Sequence, residues 1–201
     1  MVDESLWVEI TSRDPNHSQW YIERFRSMAA AGEDLDGEAR LVDAMVPRNA
    51  RVLDAGCGPG RVGGELARRG HQVVGVDVDP VLIAEAQAQH PGPVWLVGDL
   101  ADLDLSSVRL TGGFDVVVCA GNVLTFLAPT TRRAVLQGFA ALVADDGRIV
   151  AGFGGGRGYP YDKFRSDAVA AGLGIEVELA SWDLRPYAPD SDFLVAILRP
   201  K

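Results

Sequence analysis

The sequence of 201 residues contains few of the side chains that crosslink small secreted proteins or bind metal ions. It contains two cysteines, Cys57 and Cys119, and three histidines. The cysteines form no C-x-x-C pair, so we expect no disulfide framework and a reducing compartment. The histidines show no metal-ligand spacing. We therefore expect no metal site.

Basic residues and long apolar runs are also scarce. Lysine and arginine together number 19 against 28 acidic residues, which gives a net charge of −9. This charge argues against nucleic acid or an anionic membrane as a partner. No apolar run approaches the roughly 20 residues of a membrane helix, and the first residues lack the basic and apolar segments of a signal peptide. We expect a cytoplasmic protein, and the sequence does not indicate its oligomeric state.

Short apolar strands alternate with helices from about residue 51 onward. This alternation predicts an α/β fold, a doubly wound, Rossmann-like sheet with helices on both faces. The last two predicted strands, residues 175–184 and 193–198, are joined by a segment too short for a crossover helix. Such neighbours pair antiparallel. We therefore expect seven strands with the last one reversed.

A glycine-rich segment, Asp54-Ala-Gly-Cys-Gly-Pro-Gly60, follows the first of these strands. Its alternate glycines allow a tight turn and a close approach of the backbone to a ligand. Asp77 ends the second strand, at the spacing from which a carboxylate accepts hydrogen bonds from ribose hydroxyls. Asp99 ends the third strand. All three acids are predicted at the carboxyl edge, where ligands of doubly wound sheets bind.

These motifs, taken in order, resemble those of class I S-adenosylmethionine-dependent methyltransferases, and most closely the small, generic bacterial members. The segment Phe114-Asp115-Val-Val-Val-Cys119 fits as the fourth strand of that family. The resemblance covers about residues 50–199 and implies the strand order 3-2-1-4-5-7-6. It further implies a methyltransferase domain over residues 49–201 and an N-terminal helical lid over residues 1–48. The implied cofactor is S-adenosyl-L-methionine, with S-adenosyl-L-homocysteine as its product.

The resemblance also implies residue roles in cofactor binding. Asp54 and the carbonyl of Gly56 would face the methionine ammonium, and Asp77 would bind the ribose. Asp99 would bind the adenine amino group, and Leu100 would pack on the ring. The further cofactor contacts implied are Cys57, Gly58, Gly60, Val78, Ala120, Gly121 and Asn122, with Trp20, Tyr21 and Arg24 from the lid.

The sequence gives fewer indications of the residues that bind the methyl acceptor than of those that bind the cofactor. Asn122 is the candidate for orienting the methyl acceptor. After the fifth strand, Arg157 is a candidate for contacting an anionic acceptor, and Tyr159 or Tyr161 for stacking on one. No Asn/Asp-Pro-Pro-Tyr motif follows the fourth strand, which speaks against methylation of nucleic-acid amines. The short chain favours a small-molecule acceptor.

Two alternatives stay open at this point. Gly58-Pro-Gly60-Arg-Val-Gly63 matches the G-x-G-x-x-G pattern of NAD(P)-dependent oxidoreductases, and Tyr159 and Lys163 match the Tyr-x-x-x-Lys pair of short-chain dehydrogenases. A dinucleotide site requires neither Asp54 nor Asp99, so methyl transfer is favoured. A non-catalytic module that binds an adenosyl nucleotide would use the same pocket, and the sequence does not separate it from an enzyme.

Overall fold

The structure, a computed structural model, describes residues 3–108 and 112–201. Its strands are β1 (Arg51–Ala55), β2 (Gln72–Asp77), β3 (Val94–Val97), β4 (Phe114–Cys119), β5 (Val143–Gly154), β6 (Leu173–Leu179) and β7 (Phe193–Pro200). They form one seven-stranded sheet in the order β3-β2-β1-β4-β5-β7-β6. The strands β1 to β5 pair in parallel, and β7 runs antiparallel to both β5 and β6. The predicted fold and strand order are confirmed.

Helices precede the sheet and connect its strands. They are α1 (Leu6–Arg13), α2 (His17–Ala30), α3 (Gly37–Met45), α4 (Arg61–Arg68), α5 (Pro80–Gln89), α6 (Val123–Phe126), α7 (Arg132–Leu142) and α8 (Tyr161–Ala170). Two of them, α1 and α6, are not predicted by the sequence pattern. The Oγ of Ser5 caps α1 by accepting a hydrogen bond from the Val8 amide at 3.3 Å. None of the helices in the described part of the chain is long and apolar enough to cross a bilayer.

The sheet buries both of its faces, as the alternation in β4 shows. Val117 and Cys119 belong to the core cluster that also contains Phe139 of α7, whereas Val116 and Val118 belong to the cluster on the other face. That second cluster includes fully buried Val42 of α3. Helix α3 therefore packs as part of the core, and the helical lid, the cover expected over residues 1–48, stays a prediction. Met1 and Val2 of that cover lie outside the described residues.

The topology brings the functional motifs to one edge. The strands β1 to β6 all run in the same direction, since β6 and β5 are each antiparallel to β7. Their carboxyl ends, and the loops that follow them, therefore lie along one rim of the sheet. The helices α1 and α2 reach this rim through α5, against which α2 packs.

Candidate functional site

A cleft lies at this rim, between the carboxyl ends of β1, β2 and β4 and the two N-terminal helices. Its lining includes Asp54, Asp77 and Asp99, so the structure brings the three predicted carboxylates together. The enclosed volume is about 100 Å³, below the about 300–1,000 Å³ of typical ligand pockets. Trp7 of α1 and Tyr21 and Phe25 of α2 line this cleft from the side of the N-terminal helices.

The glycine loop after β1 forms the floor of the cleft. Gly56 and Gly58 have positive φ angles of 77° and 53°, a conformation that glycine adopts without strain. A Cβ on Gly56 would lie 2.4 Å from Val123, and one on Gly58 would lie 3.7 Å from the Tyr21 ring. Gly60 differs from the prediction. It does not line the cleft, and a Cβ there would meet Ala86 and Trp95 at 2.9 and 3.0 Å, so packing against α5 requires this glycine.

Cys57 lines the same loop as a packing residue. It is 7% exposed and forms a small cluster with Ile83, Ala86 and Trp95. Burial raises the pKa of its thiol well above the usual range. A protonated thiol is a poor nucleophile, so Cys57 contributes shape to the cleft and no reactive group.

Asp54 ends β1 with its carboxylate buried in the cleft wall. It is 2% exposed, and its Oδ2 accepts a hydrogen bond from the Gly63 amide at 2.8 Å. Burial raises the pKa of Asp54 to about 7. A carboxylate that is costly to ionise in the free protein is a suitable partner for a cationic ligand group, because the ligand's charge offsets the cost of burial.

Asp77 occupies the equivalent position at the end of β2. Its Oδ2 accepts from the Gly58 amide at 2.8 Å, and its Oδ1 accepts from the Asp79 amide at 3.0 Å. These bonds fix the carboxylate between the glycine loop and the start of α5. Burial raises the pKa of Asp77 to about 6 despite both amide donors. Each oxygen keeps lone pairs for further donors such as hydroxyl groups.

The end of β3 supplies the third acid and an apolar surface. The Oδ1 of Asp99 accepts from the Ala101 amide at 2.9 Å, which caps the short helical turn Leu100–Asp102. Asp99, Leu100 and Val78, three of the residues predicted to bind the cofactor, all line the cleft. Together they make a polar edge beside a hydrophobic wall, a combination suited to a heteroaromatic ring.

The Asp79 carboxylate binds both N-terminal helices to this rim, and Glu85 of α5 adds an ion pair with Arg26 of α2 at 2.7 Å. The Oδ2 of Asp79 accepts from the Trp7 indole Nε1 at 2.9 Å and from the Ser18 hydroxyl at 2.5 Å. Its Oδ1 accepts from the Val81 amide at 2.8 Å and so caps α5. We call Trp7, Ser18 and Asp79 the clasp. Because the Asp79 amide also binds Asp77, the clasp is directly connected to a site carboxylate.

Aromatic rings from three helices cover the cleft. Trp7 packs edge to face on Tyr21 and Phe126, with ring centroids 5.3 and 5.6 Å apart. Tyr21 meets Phe25 at 5.0 Å. Burial also raises the pKa of the Tyr21 phenol. Trp7 and Phe126 were missed because they lie on the two helices that the sequence pattern does not reveal.

Only one of the three predicted lid residues reaches the cleft. Tyr21 lines it, and its hydroxyl would lie 4.0 Å from a Cβ on Gly121. Trp20 is 55% exposed, and Arg24 is exposed with its guanidinium beside the Phe25 ring. Neither lines the cleft, because successive residues of a helix point about 100° apart.

Arg61 is a lining residue that sequence reasoning missed. Among the described residues of the cleft wall it is the one with a positive charge. Its guanidinium binds both carboxylate oxygens of Glu38, at 2.9 and 2.5 Å, and the Leu35 carbonyl. It also lies 5.3 Å from the Phe25 ring centroid. Arg61 therefore ties the start of α4 to the start of α3. Its place directly after the glycine loop was the available signal.

The loop after β4 is held by Asn122 from outside the cleft. Asn122 has a φ of 68°, and its Oδ1 accepts from the Gly154 amide at 2.7 Å. Its neighbours Ala120 and Gly121 line the cleft, whereas Asn122 does not. The side-chain oxygen predicted to orient an acceptor is thus used to join the β4 and β5 loops.

The residues predicted after β5 separate into buried and exposed positions. Tyr159 is 1% exposed, stacks on Phe153 and donates to Asp167 at 3.0 Å, so it does not face an acceptor and that prediction is wrong. Lys163 binds the same Asp167 at 2.5 Å, so the Tyr-x-x-x-Lys match is a structural ion-pair site. The Tyr161 hydroxyl lies under Gly155, 3.0 Å from where a Cβ would stand. Arg157 is exposed.

Comparisons with known proteins agree with this geometry. A family model described as "Methyltransferase domain" matches residues 52–147. The crystal structure of a TehB-like SAM-dependent methyltransferase from Corynebacterium glutamicum is 47% identical, with a TM-score of 0.89 over 94% of this chain and 100% of that chain.

Curated relatives match a shorter part of their own length. A magnesium-protoporphyrin O-methyltransferase of Rhodobacter capsulatus is 34% identical over 65% of this chain and 56% of that protein. An uncharacterized methyltransferase of Mycobacterium tuberculosis is 41% identical over 54% of this chain and 53% of that protein. The matches therefore span little more than half the length of these curated relatives.

Proposed function

Because the chain belongs to the class I S-adenosylmethionine-dependent methyltransferases, we propose that it transfers a methyl group from its cofactor, S-adenosylmethionine, to a small-molecule acceptor. The observation that carries the proposal is the pair of buried carboxylates, Asp54 and Asp77, held by amides of the glycine loop and the following helix. The net charge of −9 supports a small acceptor rather than a nucleic acid.

The residues of the cleft fit the chemical groups of this cofactor. Asp54 is a buried acceptor for the methionine ammonium, and Asp77 retains lone pairs for the ribose hydroxyls. Asp99 and Leu100 offer an acceptor and an apolar surface to the adenine. Gly58 leaves the floor free of a side chain, since the nearest atom to a Cβ there is the Tyr21 ring.

The chain's own residues bind and align rather than react. When bound, the cofactor supplies a sulfonium methyl carbon: an acceptor lone pair forms the new C–N, C–O or C–S bond while the old C–S pair returns to sulfur, and an acceptor proton leaves to solvent or base. Tyr21, Phe25 and Trp7 cover the cleft and exclude water. Alignment of this kind contributes up to about 7–11 kcal/mol to lowering a barrier.

A binding module without catalysis would share every one of these contacts, so turnover has to be measured. The experiment incubates the protein with methyl-labelled S-adenosylmethionine and a fractionated extract of small metabolites. The proposal predicts that label moves to a metabolite in at least one fraction, with stoichiometric S-adenosylhomocysteine. Tight cofactor binding with no transfer to any fraction would show a binding module instead.

The pH dependence of cofactor binding follows from the raised pKa of Asp54. Because this pKa is about 7 in the free protein, the carboxyl is protonated below pH 7 and must release its proton to pair with the ammonium. We expect the affinity for S-adenosylhomocysteine to fall about tenfold between pH 8 and pH 6. Calorimetric titrations across this range measure it. For 5′-methylthioadenosine, which lacks the amino acid, we expect no break near pH 7; the same break for both ligands would contradict the assignment.

We also propose that α1 and α2 are a lid, closed by the clasp. Ser18→Ala removes one hydrogen bond to Asp79 and should open the lid more often. We expect S-adenosylhomocysteine to dissociate about 3- to 10-fold faster, which corresponds to the 0.5–1.5 kcal/mol of a typical hydrogen bond. Stopped-flow tryptophan fluorescence measures the rate. Ser27→Ala, at an exposed position of the same helix, is the control, and equal dissociation rates for both variants would argue against the clasp.

A further inference from the structure

Most arginines that the structure describes pair with a carboxylate, and a few do not. Among those that the structure describes, all except Arg24, Arg132 and Arg157 have a carboxylate oxygen within 4.0 Å. The chain has 28 acidic residues against 19 basic ones, so acids outnumber the basic residues that need a partner. Two of the three exceptions lie close together. Arg157 is in the loop after β5, and Arg132 of α7 contacts that loop.

Arg132 supports that loop from below as a buried cation. It is 5% exposed, and its guanidinium donates to the Gly158 carbonyl at 2.9 Å and to the Thr125 carbonyl at 3.4 Å. It also lies 4.2 Å from the Tyr159 ring centroid, while its Nε has no partner. Arg132 thus joins the loops after β4 and β5 through neutral partners, and its positive charge is left without a carboxylate.

Two further basic residues lie close to this loop and share one acid. Arg133 and Lys163 both bind the Asp167 carboxylate, at 3.5 and 2.5 Å. On the other side of the loop, the Asp192 carbonyl accepts from the Gly155 amide at 2.8 Å. Because Arg157 has no carboxylate oxygen within 4.0 Å among the described residues, its guanidinium donors stay available to an anionic ligand.

Arg157 itself stands beside the cleft. Its Nε and the Asn122 Oδ1 lie 3.1 and 3.5 Å from the point where a Cβ on Gly154 would stand. Asn122 adjoins Gly121, which lines the cleft. Gly156 and Gly158 flank Arg157 with φ angles of 70° and 78°, so the loop turns on both sides of the arginine and presents it to solvent. Arg157 does not line the cleft itself, but it stands next to the loop that does.

We propose that the methyl acceptor carries an oxyanion, a carboxylate or a phosphate, which Arg157 binds at the acceptor side of the cleft. This inference rests on the proposed methyl transfer and names its substrate class. A planar guanidinium binds both kinds of oxyanion through two parallel N–H donors. Arg132 acts as a positioning residue, since it holds the Gly158 carbonyl and with it the loop that carries Arg157.

The test separates the metabolite extract by charge before assay with labelled S-adenosylmethionine. We expect acceptor activity in the fraction that an anion exchanger retains. Arg157→Gln should raise the KM for that fraction about 10- to 100-fold, Arg157→Lys should restore part of the loss, and the affinity for S-adenosylhomocysteine should be unchanged. Arg185→Gln, an exposed arginine of the β6–β7 loop that pairs with Asp183, is the control and should match wild type.

Chemical treatment of the active fraction distinguishes the two oxyanions. Loss of activity after phosphatase indicates a phosphate, loss after carbodiimide amidation indicates a carboxylate, and activity that survives both overturns the inference. Activity in the unretained fraction, unchanged kinetics in Arg157→Gln, or a loss of S-adenosylhomocysteine binding in that variant would also overturn it while leaving methyl transfer intact. Absence of transfer in every fraction would reject the proposed function and the inference with it.

Discussion

Asp54→Asn is expected to weaken S-adenosylhomocysteine binding about 30- to 1,000-fold, which corresponds to the roughly 2–4 kcal/mol of a buried charge-assisted contact. The amide keeps an oxygen for the Gly63 N–H, which now binds Oδ2 at 2.8 Å, but loses the charge that pairs with the ammonium. Affinity for 5′-methylthioadenosine should change little, since that ligand has no ammonium. Calorimetry with both ligands measures the difference.

The same substitution should stabilise the free protein above pH 7. Because the pKa of Asp54 is about 7 in the folded chain and has its ordinary value of 3.8 in the unfolded chain, stability is greatest at low pH and falls as pH rises through this interval. The loss reaches up to about 4 kcal/mol at pH 8, and asparagine avoids it. Thermal unfolding at pH 8 should therefore show a higher Tm for Asp54→Asn. A lower Tm together with unchanged affinity would contradict the role assigned to Asp54.

Asp77→Asn is expected to weaken both ligands, again about 30- to 1,000-fold. Both S-adenosylhomocysteine and 5′-methylthioadenosine carry the ribose diol, so the effect should not depend on the amino acid part. Asp77 accepts from the amides of Gly58 and Asp79 with different oxygens. An amide side chain can serve only one of these donors, so some loss of stability should accompany the loss of affinity.

A matched control separates binding from stability at Asp77. Asp115 is the second residue of β4, at the end of the strands away from the cleft, where it accepts from the Arg51 amide and pairs with the Arg51 guanidinium at 2.8 Å. Asp115→Asn should lower the Tm and leave the affinity for both ligands unchanged. If Asp77→Asn behaved in the same way, its carboxylate would be structural and the ribose would bind elsewhere.

The sheet could be predicted because its signals are local and strong. The β1 and β4 segments are short apolar runs, Asp79-Pro80 marks the start of α5, and the short β6–β7 connection permits only antiparallel pairing. The helices α1 and α6 could not be predicted in this way. They have 8 and 4 residues. Their positions depend on the contacts of Trp7 with Tyr21 and with Phe126, and only the folded chain brings these rings together.

The residues of the site differ in the same way: local signals in the sequence predict some of them, and tertiary contacts determine the others. Strand direction and register place three acids and the glycine loop at the rim; the acids are Asp54, Asp77 and Asp99. Which way a side chain of a loop or helix turns depends on its neighbours in space. Asn122 turns its Oδ1 to the Gly154 amide and Tyr159 turns into the core, and the sequence pattern reveals neither contact. Arg61 reaches the cleft wall through its pairing with Glu38, a partner that is distant in sequence.

Calorimetric titration of the wild-type protein with S-adenosylhomocysteine, and separately with NAD⁺, tests most directly whether these carboxylates hold an adenosyl cofactor with a methionine tail. We predict one S-adenosylhomocysteine bound per chain and no measurable binding of NAD⁺. Tighter binding of NAD⁺, or no heat with S-adenosylhomocysteine at any accessible concentration, would contradict the account.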